Sequence, residues 1–348
     1  MLRRLLFTSV LLAPAVVGLH YAVRPDKLVE FALAALALIP LAWLIGEATE
    51  HASEHTGPGI GGFLNATFGN APELIIALLA VHEGLTEVVR GSLTGSVIGN
   101  LLLVLGFSLL FGGRGELDRP SSFLSLSLVG AAALLFLIPS VPSWTGDPER
   151  HLIETLSIPV SIALLVVYVG ATWWSLRRHH LLHTSGDEVI GEGWSMRTSM
   201  LVLAGATVVT ALVAEILVGS LEAFADKARL SDFFVAAVIV AIVGNAAEHG
   251  GAVVVAYRGK VKLAVEIALS SSAQVAVFLI PAVVLLALLI DPLALGLRPV
   301  EVWALLGSTL LAAVLLAGGR SSRGRGTVLI GAYIAIAAMF FAVGDRNL

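Results

Sequence analysis

The sequence contains no cysteine, which excludes disulfides and every kind of thiolate metal site. Charge is also scarce: Asp, Glu, Lys and Arg make up 13% of the 348 residues, about half the share found in ordinary soluble domains. No basic run alternates with aromatic residues, so nucleic acid is not an expected partner. Hydrophobic residues instead make up 57% of the chain, in stretches of about 18 or more that can cross a bilayer.

These apolar stretches predict an all-α polytopic membrane protein with eleven transmembrane helices in a lipid bilayer. The N-terminal stretch has the arginines and apolar core of a signal peptide, but ten further spans follow it, so we expect a retained helix. The predicted spans are roughly 5–23, 28–47, 62–81, 88–111, 121–141, 152–174, 198–219, 233–256, 263–290, 300–317 and 327–343.

Lys and Arg are distributed unevenly between the two sides that these spans define. With a cytoplasmic N-terminus, 13 of the 21 Lys and Arg residues lie on the cytoplasmic side and 8 on the other. Because cytoplasmic loops carry the excess of positive charge, this orientation is the predicted one. We expect a prokaryotic cytoplasmic (inner) membrane, or a vacuolar-type membrane if the chain is eukaryotic.

The chain repeats itself at one constant offset, the separation between Glu73 and Glu248, which also pairs Ser96 with Ser271. Each repeat contains five spans, an odd number, so the second repeat enters the membrane from the opposite side. The predicted architecture is therefore two inverted five-helix repeats, as in many secondary transporters. The predicted divisions are an extra N-terminal helix at 1–24, the repeats at 25–177 and 198–348, and a central loop at 178–197.

Two matching motifs, GNAPE at 69–73 and GNAAE at 244–248, each place one glutamate inside an apolar span. A carboxylate near the middle of a membrane helix costs about 2.5 to 3.5 kcal/mol on insertion scales, so it indicates an ion or proton pathway. Asn70 and Glu73 are three residues apart and share a helix face, as do Asn245 and Glu248. The alternative is a buried polar pair that only holds helices together.

A proline inside the first motif predicts a broken helix. Pro72 has no N–H to donate to the carbonyl oxygen of Phe68, and freed carbonyls at membrane depth are tolerated where they line a cavity. Two carboxylates, two amide oxygens and such a carbonyl form a site with oxygen ligands only. Ca²⁺ prefers this chemistry, and two carboxylates balance its charge.

Acidic residues at helix ends form a second pattern. Glu47 and Glu50 share a face at the end of the second span, and Glu215 and Glu222 are seven residues apart in the seventh. We interpret these residues as funnels that attract cations towards the site; the alternative is that they are solvated helix ends.

Small polar residues occupy the fourth and ninth spans. Ser96, Ser271 and Gln274 are candidates for lining the site or relaying protons, although small residues also let helices pack closely. His249 adjoins Glu248 inside an apolar span, so a modest change of environment would make it sensitive to protons.

With these motifs, the sequence resembles the calcium/proton exchangers of the calcium/cation antiporter superfamily. The resemblance rests on residues 46–75, 91–113, 218–249 and 270–281 and covers both repeats. It implies an eleven-helix, inverted-repeat antiporter that exchanges Ca²⁺ for protons by alternating access, with Glu73 and Glu248 as ligands. Sodium-driven relatives carry Thr-Ser where this chain has Asn-Ala in both motifs, which favours protons as the coupling ion. Family members often carry a more acidic central segment than residues 178–197 provide.

Three other interpretations stay open at this point. The same architecture can exchange Mn²⁺, Na⁺ or K⁺ for protons, or the protein is a passive channel. From a different class, a membrane-embedded metal-dependent hydrolase can be imagined around Glu50, His51 and His55, because histidines four residues apart can hold zinc. The constant-offset repeat favours the antiporter, which is not an enzyme, needs no cofactor and takes Ca²⁺ and H⁺ as substrates. The sequence does not indicate an oligomeric state.

Overall fold

The structure, a computed structural model, describes residues 2–144, 150–182 and 194–345. Counting each helix together with any π- or 3₁₀-helical turn that continues it, these ranges contain fourteen helices. They are α1 Leu2–Ser9, α2 Leu12–Ala22, α3 Lys27–Glu54, α4 Gly57–Phe68, α5 Ala71–His82, α6 Thr86–Gly112, α7 Arg119–Trp144, α8 Arg150–Leu182, α9 Met196–Ala228, α10 Asp232–Gly244, α11 Ala246–Tyr257, α12 Val261–Ala287, α13 Pro299–Leu316 and α14 Arg323–Val343. Within the same ranges, β-structure is limited to one isolated bridge between Glu116 and Arg320. The polar residues that we assign to the central loop from His183 to Glu192 lie outside the described residues.

Eight of the helices are long and apolar enough to cross a membrane. The α10–α11 pair, bent by 58°, passes the same test as one broken span and brings the number to nine. This confirms the predicted all-α membrane class. The predicted spans 5–23 and 62–81 instead contain the shorter apolar helices Leu6–Ala22 and Ala71–His82. Because a crossing needs about 20 residues, the predicted count of eleven is not confirmed.

Helix boundaries repeat at the spacing found in the sequence. α5 and α11 begin at Ala71 and Ala246, the same offset that separates Glu73 from Glu248, and each has 12 residues. α6 and α12 begin at this offset as well, and each has 27 residues. Both contain a π-helical turn, Gly99–Val104 in α6 and Val275–Leu279 in α12, and such turns are often found at functional sites. The two halves therefore share one helix pattern.

The long helices α3 and α9 pack against each other and against the helices that carry the predicted site. α9 packs on α5 and α3 packs on α11, while α6 packs on α10. Fully buried alanines, among them Ala34, Ala37, Ala77 and Ala80, allow helix backbones to approach closely. The helix breaks before α5 and α11 are thereby enclosed by helices from both halves.

Candidate ion-binding site

Each predicted site glutamate lies in the first turn of a helix that starts after a break. Two residues separate α4 from α5, and one residue separates α10 from α11. The asparagine at each break leaves the helical conformation, with φ −101° and ψ 17° at Asn70 and φ −89° and ψ 7° at Asn245. Glu73 and Glu248 therefore follow equivalent breaks, one in each half.

Proline is not what the two breaks share, because the second has Ala247 where the first has Pro72. The shared residue is asparagine. Its side-chain Nδ2 donates to the carbonyl oxygen four residues earlier in both copies, from Asn70 to Ala66 and from Asn245 to Ala241, each at 2.9 Å. Side-chain bonds of this kind compete with the regular helical hydrogen bond. The break predicted from Pro72 is present, but a cause common to both halves lies in the asparagines.

The Glu73 carboxyl group is enclosed and lies against the second break. Its side chain is 7% exposed, and the position that a Cβ would take on Gly244 is 3.5 Å from Glu73 Oε1. Glu73 Oε2 and the Oδ1 atoms of Asn70 and Asn245 are buried without a hydrogen-bond partner among the described residues. An unpaired buried acceptor costs about 1–3 kcal/mol, so these three oxygens are available to a cation.

The Glu248 carboxyl group is less enclosed and borders a cavity of about 250 Å³. The cavity is lined by Asn65, Glu248, Glu266, Ile267, Ser270, Ser271 and Gln274.

A chain of hydrogen bonds leads away from Glu248. Ser271 Oγ donates to Glu248 Oε2, and Asn100 Nδ2 donates to Ser271 Oγ at 2.9 Å. His249 Nε2 lies 3.2 Å from Asn100 Oδ1. Because that amide oxygen can only accept, the contact assigns the proton of neutral His249 to Nε2. The predicted residues Ser271 and His249 are thus joined to Glu248 through Asn100.

Polar residues from the two halves meet around the breaks. Asn245 Nδ2, besides its bond within α10, donates to Ser96 Oγ of α6 at 2.9 Å. The Glu73 side chain of the first half lies against Gly244, four residues before Glu248. Phe68 packs beside Ala71 in a small apolar cluster with α3 and α9. The two motif regions therefore meet at the junction of the two halves.

The predicted acidic funnels do not line this cavity. Glu50, Glu215 and Glu222 are exposed, and Glu47 is partly buried with its Oε1 3.8 Å from His51 Nε2. His51 Nδ1 also lies 3.3 Å from an oxygen of the exposed Glu54. These contacts form a cluster at the end of α3. Over the described ranges, no group of three or more His, Cys, Asp or Glu residues has a geometry able to hold a metal ion.

Four polar residues around the candidate site were not among the predicted site residues: Asn65, Asn100, Glu266 and Ser270. Asn65 and Glu266 fall near the ends of predicted spans, where polar residues are usually solvated. Glu266 nevertheless sits in an apolar run, the signal that identified Glu73. Asn100 contacts residues 171 and 149 positions away along the chain, and no local sequence pattern indicates such contacts.

Several transporters resemble this chain over most of its length. The Ca²⁺/H⁺ antiporter ChaA of Bacillus subtilis (strain 168) is 39% identical over 326 residues, 90% of this chain and 92% of that protein. Vacuolar cation/proton exchanger 3 of Arabidopsis thaliana is 34% identical over 361 residues, 97% of this chain and 78% of that protein. The solved structure of native YfkE matches with a TM-score of 0.82 at 36% identity, covering 95% of this chain and 99% of that one.

The family described as sodium/calcium exchanger protein matches residues 27–177 and 198–342, which is most of the chain. Relatives that cover about nine-tenths of the chain support the same assignment, and their names describe transporters rather than enzymes. The chain therefore belongs to the sodium/calcium exchanger protein family and, within it, to the calcium/proton exchangers of the calcium/cation antiporter superfamily.

Proposed function

We propose that this protein is a secondary active antiporter that exchanges Ca²⁺ for H⁺ by alternating access, at one site shared by Glu73 and Glu248. The observation that carries the proposal is the pair of matched helix breaks, each followed by a buried or partly buried carboxylate. The names of the relatives as Ca²⁺/H⁺ antiporters support the choice of ions.

The proposed ligands of the transported Ca²⁺ are all oxygens. They are the carboxylates of Glu73 and Glu248, the amide oxygens of Asn70 and Asn245, and the backbone carbonyl of Phe68. Ca²⁺ takes about six to eight oxygen ligands in flexible geometry, so water from the cavity completes the shell. The buried, unpartnered Oδ1 atoms of both asparagines support their assignment.

Competition between Ca²⁺ and protons for the same oxygens couples the two ions. Desolvation and mutual repulsion both favour the protonated carboxyl groups when no cation is bound, and a divalent charge reverses that preference. The site is then occupied either by Ca²⁺ or by protons. Apparent Ca²⁺ affinity consequently falls as the pH drops, with more than one proton released per ion bound.

Protons reach the site through polar side chains on the cavity wall. Glu248 faces the cavity directly, and Gln274 and Ser271 line it. His249 connects to the same carboxylate through Asn100. Ser96 takes part from the first half, where it accepts a hydrogen bond from Asn245. We assign these residues to the proton pathway, and the acids Glu47, Glu50, Glu215 and Glu222 to attraction of cations at the two surfaces.

The proposed architecture is the predicted one, with eleven spans arranged as inverted repeats at 25–177 and 198–348. The repeated helix boundaries support this architecture. The packing supports it as well, because α9 of the second repeat packs on α5 of the first, and α3 of the first repeat packs on α11 of the second. We place the N-terminus in the cytoplasm of a cell whose inner membrane holds the protein, or on the cytosolic side of a vacuolar-type membrane. The α11–α12 turn with Arg258 and Lys260 is then cytoplasmic.

Purified protein in proteoliposomes tests the proposal directly. An acid lumen should drive Ca²⁺ uptake against a Ca²⁺ gradient, and collapse of the pH gradient should stop it. A sodium gradient at clamped pH serves as the control, and Mn²⁺ and K⁺ serve as competing ions. Strong sodium-driven uptake, or uptake that never exceeds equilibrium, would show that the exchanger assignment is wrong for this chain.

A further inference from the structure

On one side of the site, α6 and α10 are in direct backbone contact at two glycines. A Cβ on Gly91 would lie 2.7 Å from the carbonyl oxygen of Phe233, and one on Gly95 would lie closer still to the carbonyl oxygen of Ala237. Both distances are far below van der Waals contact. This interface is therefore closed, and it is closed because neither position has a side chain.

The equivalent positions in the second half have side chains and border open space. At the repeat offset, Gly91 corresponds to Glu266 and Gly95 to Ser270, both on α12. These two residues line the cavity of about 250 Å³, with Asn65 of α4 on its wall. α4 is the counterpart of α10, so the helix pair that is in direct backbone contact in one place borders a cavity in the other.

The Glu266 carboxylate brings an uncompensated charge to this cavity. It is partly buried, and no ion pair or hydrogen bond to it occurs among the described residues. The nearest cation along the helix, Lys262, one turn earlier, lies 3.3 Å from an oxygen of Asp118. Glu266, Ser270 and Gln274 are spaced four residues apart, so they line one face of α12 over about 12 Å.

We propose that Glu266, together with Asn65, Ser270 and Gln274, forms a capture site that holds a hydrated divalent cation before it reaches Glu248. This inference rests on the proposed function and adds a second cation site to it. All four side chains offer hard oxygens, as Ca²⁺ requires. A single carboxylate leaves the cation most of its water, and at about 30 Å³ for each water the cavity holds several. Because Gly91 has no side chain, capture of this kind occurs on one side only.

The absence of cysteine allows the capture site to be probed without measuring transport. Ile267→Cys places a single thiol on the cavity wall at a side chain that is not a proposed ligand. Labelling of this thiol by a membrane-impermeant maleimide is followed in vesicles of each orientation, over a series of Ca²⁺ concentrations. We expect labelling from one face only, and Ca²⁺ should slow it.

The decisive comparison adds Glu266→Gln to Ile267→Cys, with Glu116→Gln as the matched control. Glu116 is an exposed glutamate before α7, outside the cavity, so its variant removes the same charge elsewhere. Charged clefts concentrate counter-ions by about tenfold or more, so Glu266→Gln should raise the Ca²⁺ concentration for half-protection about tenfold. Glu266→Asp should restore much of the protection, and Glu116→Gln should leave it unchanged.

Two results would overturn the capture site. One is equal protection in the Glu266→Gln and Glu116→Gln proteins. The other is a loss of Ca²⁺ transport in the Glu266→Gln protein that is equal from both membrane faces, which marks a structural role. Failure of the proposed function has a different signature: the unmodified protein then shows no pH-driven Ca²⁺ uptake, whatever the labelling shows.

Discussion

The two site glutamates belong to nearly identical sequence motifs, yet their surroundings differ. Glu73 is enclosed against Gly244, with one carboxylate oxygen unpartnered, whereas Glu248 borders the cavity and accepts a hydrogen bond from Ser271. Similar motifs therefore do not produce similar half-sites, where a half-site is the set of proposed ligands that one repeat contributes. Access to an ion depends on how closely the neighbouring helices pack, and here the second half is the open one.

The residues around the motifs explain the inequality. His249 and Asn100 belong to the hydrogen-bonded chain at Glu248, but their counterparts in the repeat are Leu74 and Val275, which cannot form one. The first half has no equivalent relay among the described residues. We infer that the repeat preserves the ligands, while the differences between the halves determine the route that protons take.

Neutralising either glutamate should have the largest effect. Glu73→Gln and Glu248→Gln should each reduce exchange to the background of empty liposomes, because an amide neither carries a proton nor balances Ca²⁺. Uptake driven by an acid lumen measures this, and Glu83→Gln, an exposed position at the end of α5, is the control. Near-normal transport by either site variant would contradict a site that both halves share.

Removing the hydroxyl of Ser271 or that of Ser96 should change the apparent Ca²⁺ affinity to different extents. Ser271 donates to a carboxylate, and hydrogen bonds to charged groups contribute about 1.5–3 kcal/mol, against about 0.5–1.5 kcal/mol for neutral pairs such as Asn245 with Ser96. Ser271→Ala should therefore change apparent Ca²⁺ affinity about tenfold or more, and Ser96→Ala clearly less. Titration of Ca²⁺ uptake at constant pH distinguishes them. Equal effects would show that the half-sites are energetically equivalent.

Replacing His249 by the residue of the other half should have a smaller, selective effect. His249→Leu copies Leu74 and removes the far end of the chain to Glu248 without touching a proposed ligand. Equilibrium Ca²⁺ binding should stay near that of the unmodified protein, while the rate of proton-driven exchange falls, because the chain to Glu248 loses its far end. A matching loss of binding would indicate that His249 positions Glu248.

Sequence patterns predicted the membrane class, the repeat offset and the two glutamates of the proposed site, because each prediction depends on local composition or on spacing. The cavity could not be predicted in this way, because it depends on the distance between α4 and α12, which no periodicity encodes. Asn65 and Glu266 were missed for this reason: near a span end, the same residue faces either bulk water or a cavity between helices. Asn100 was missed because its partners come from the other half.

The smallest expected effect concerns the proline that only the first break contains. Because the second break forms with Ala247, Pro72→Ala should leave the break at Asn70 in place and the protein folded. The backbone N–H that this variant gains at position 72 can then bond the Phe68 carbonyl oxygen, which would compete with its proposed role as a ligand. A neutral hydrogen bond contributes about 0.5–1.5 kcal/mol, so Ca²⁺ affinity should weaken by a few fold, with Ala247→Pro as the reciprocal variant. Unchanged affinity in a folded Pro72→Ala protein would remove Phe68 from the ligand set and leave the asparagine and glutamate oxygens as the site.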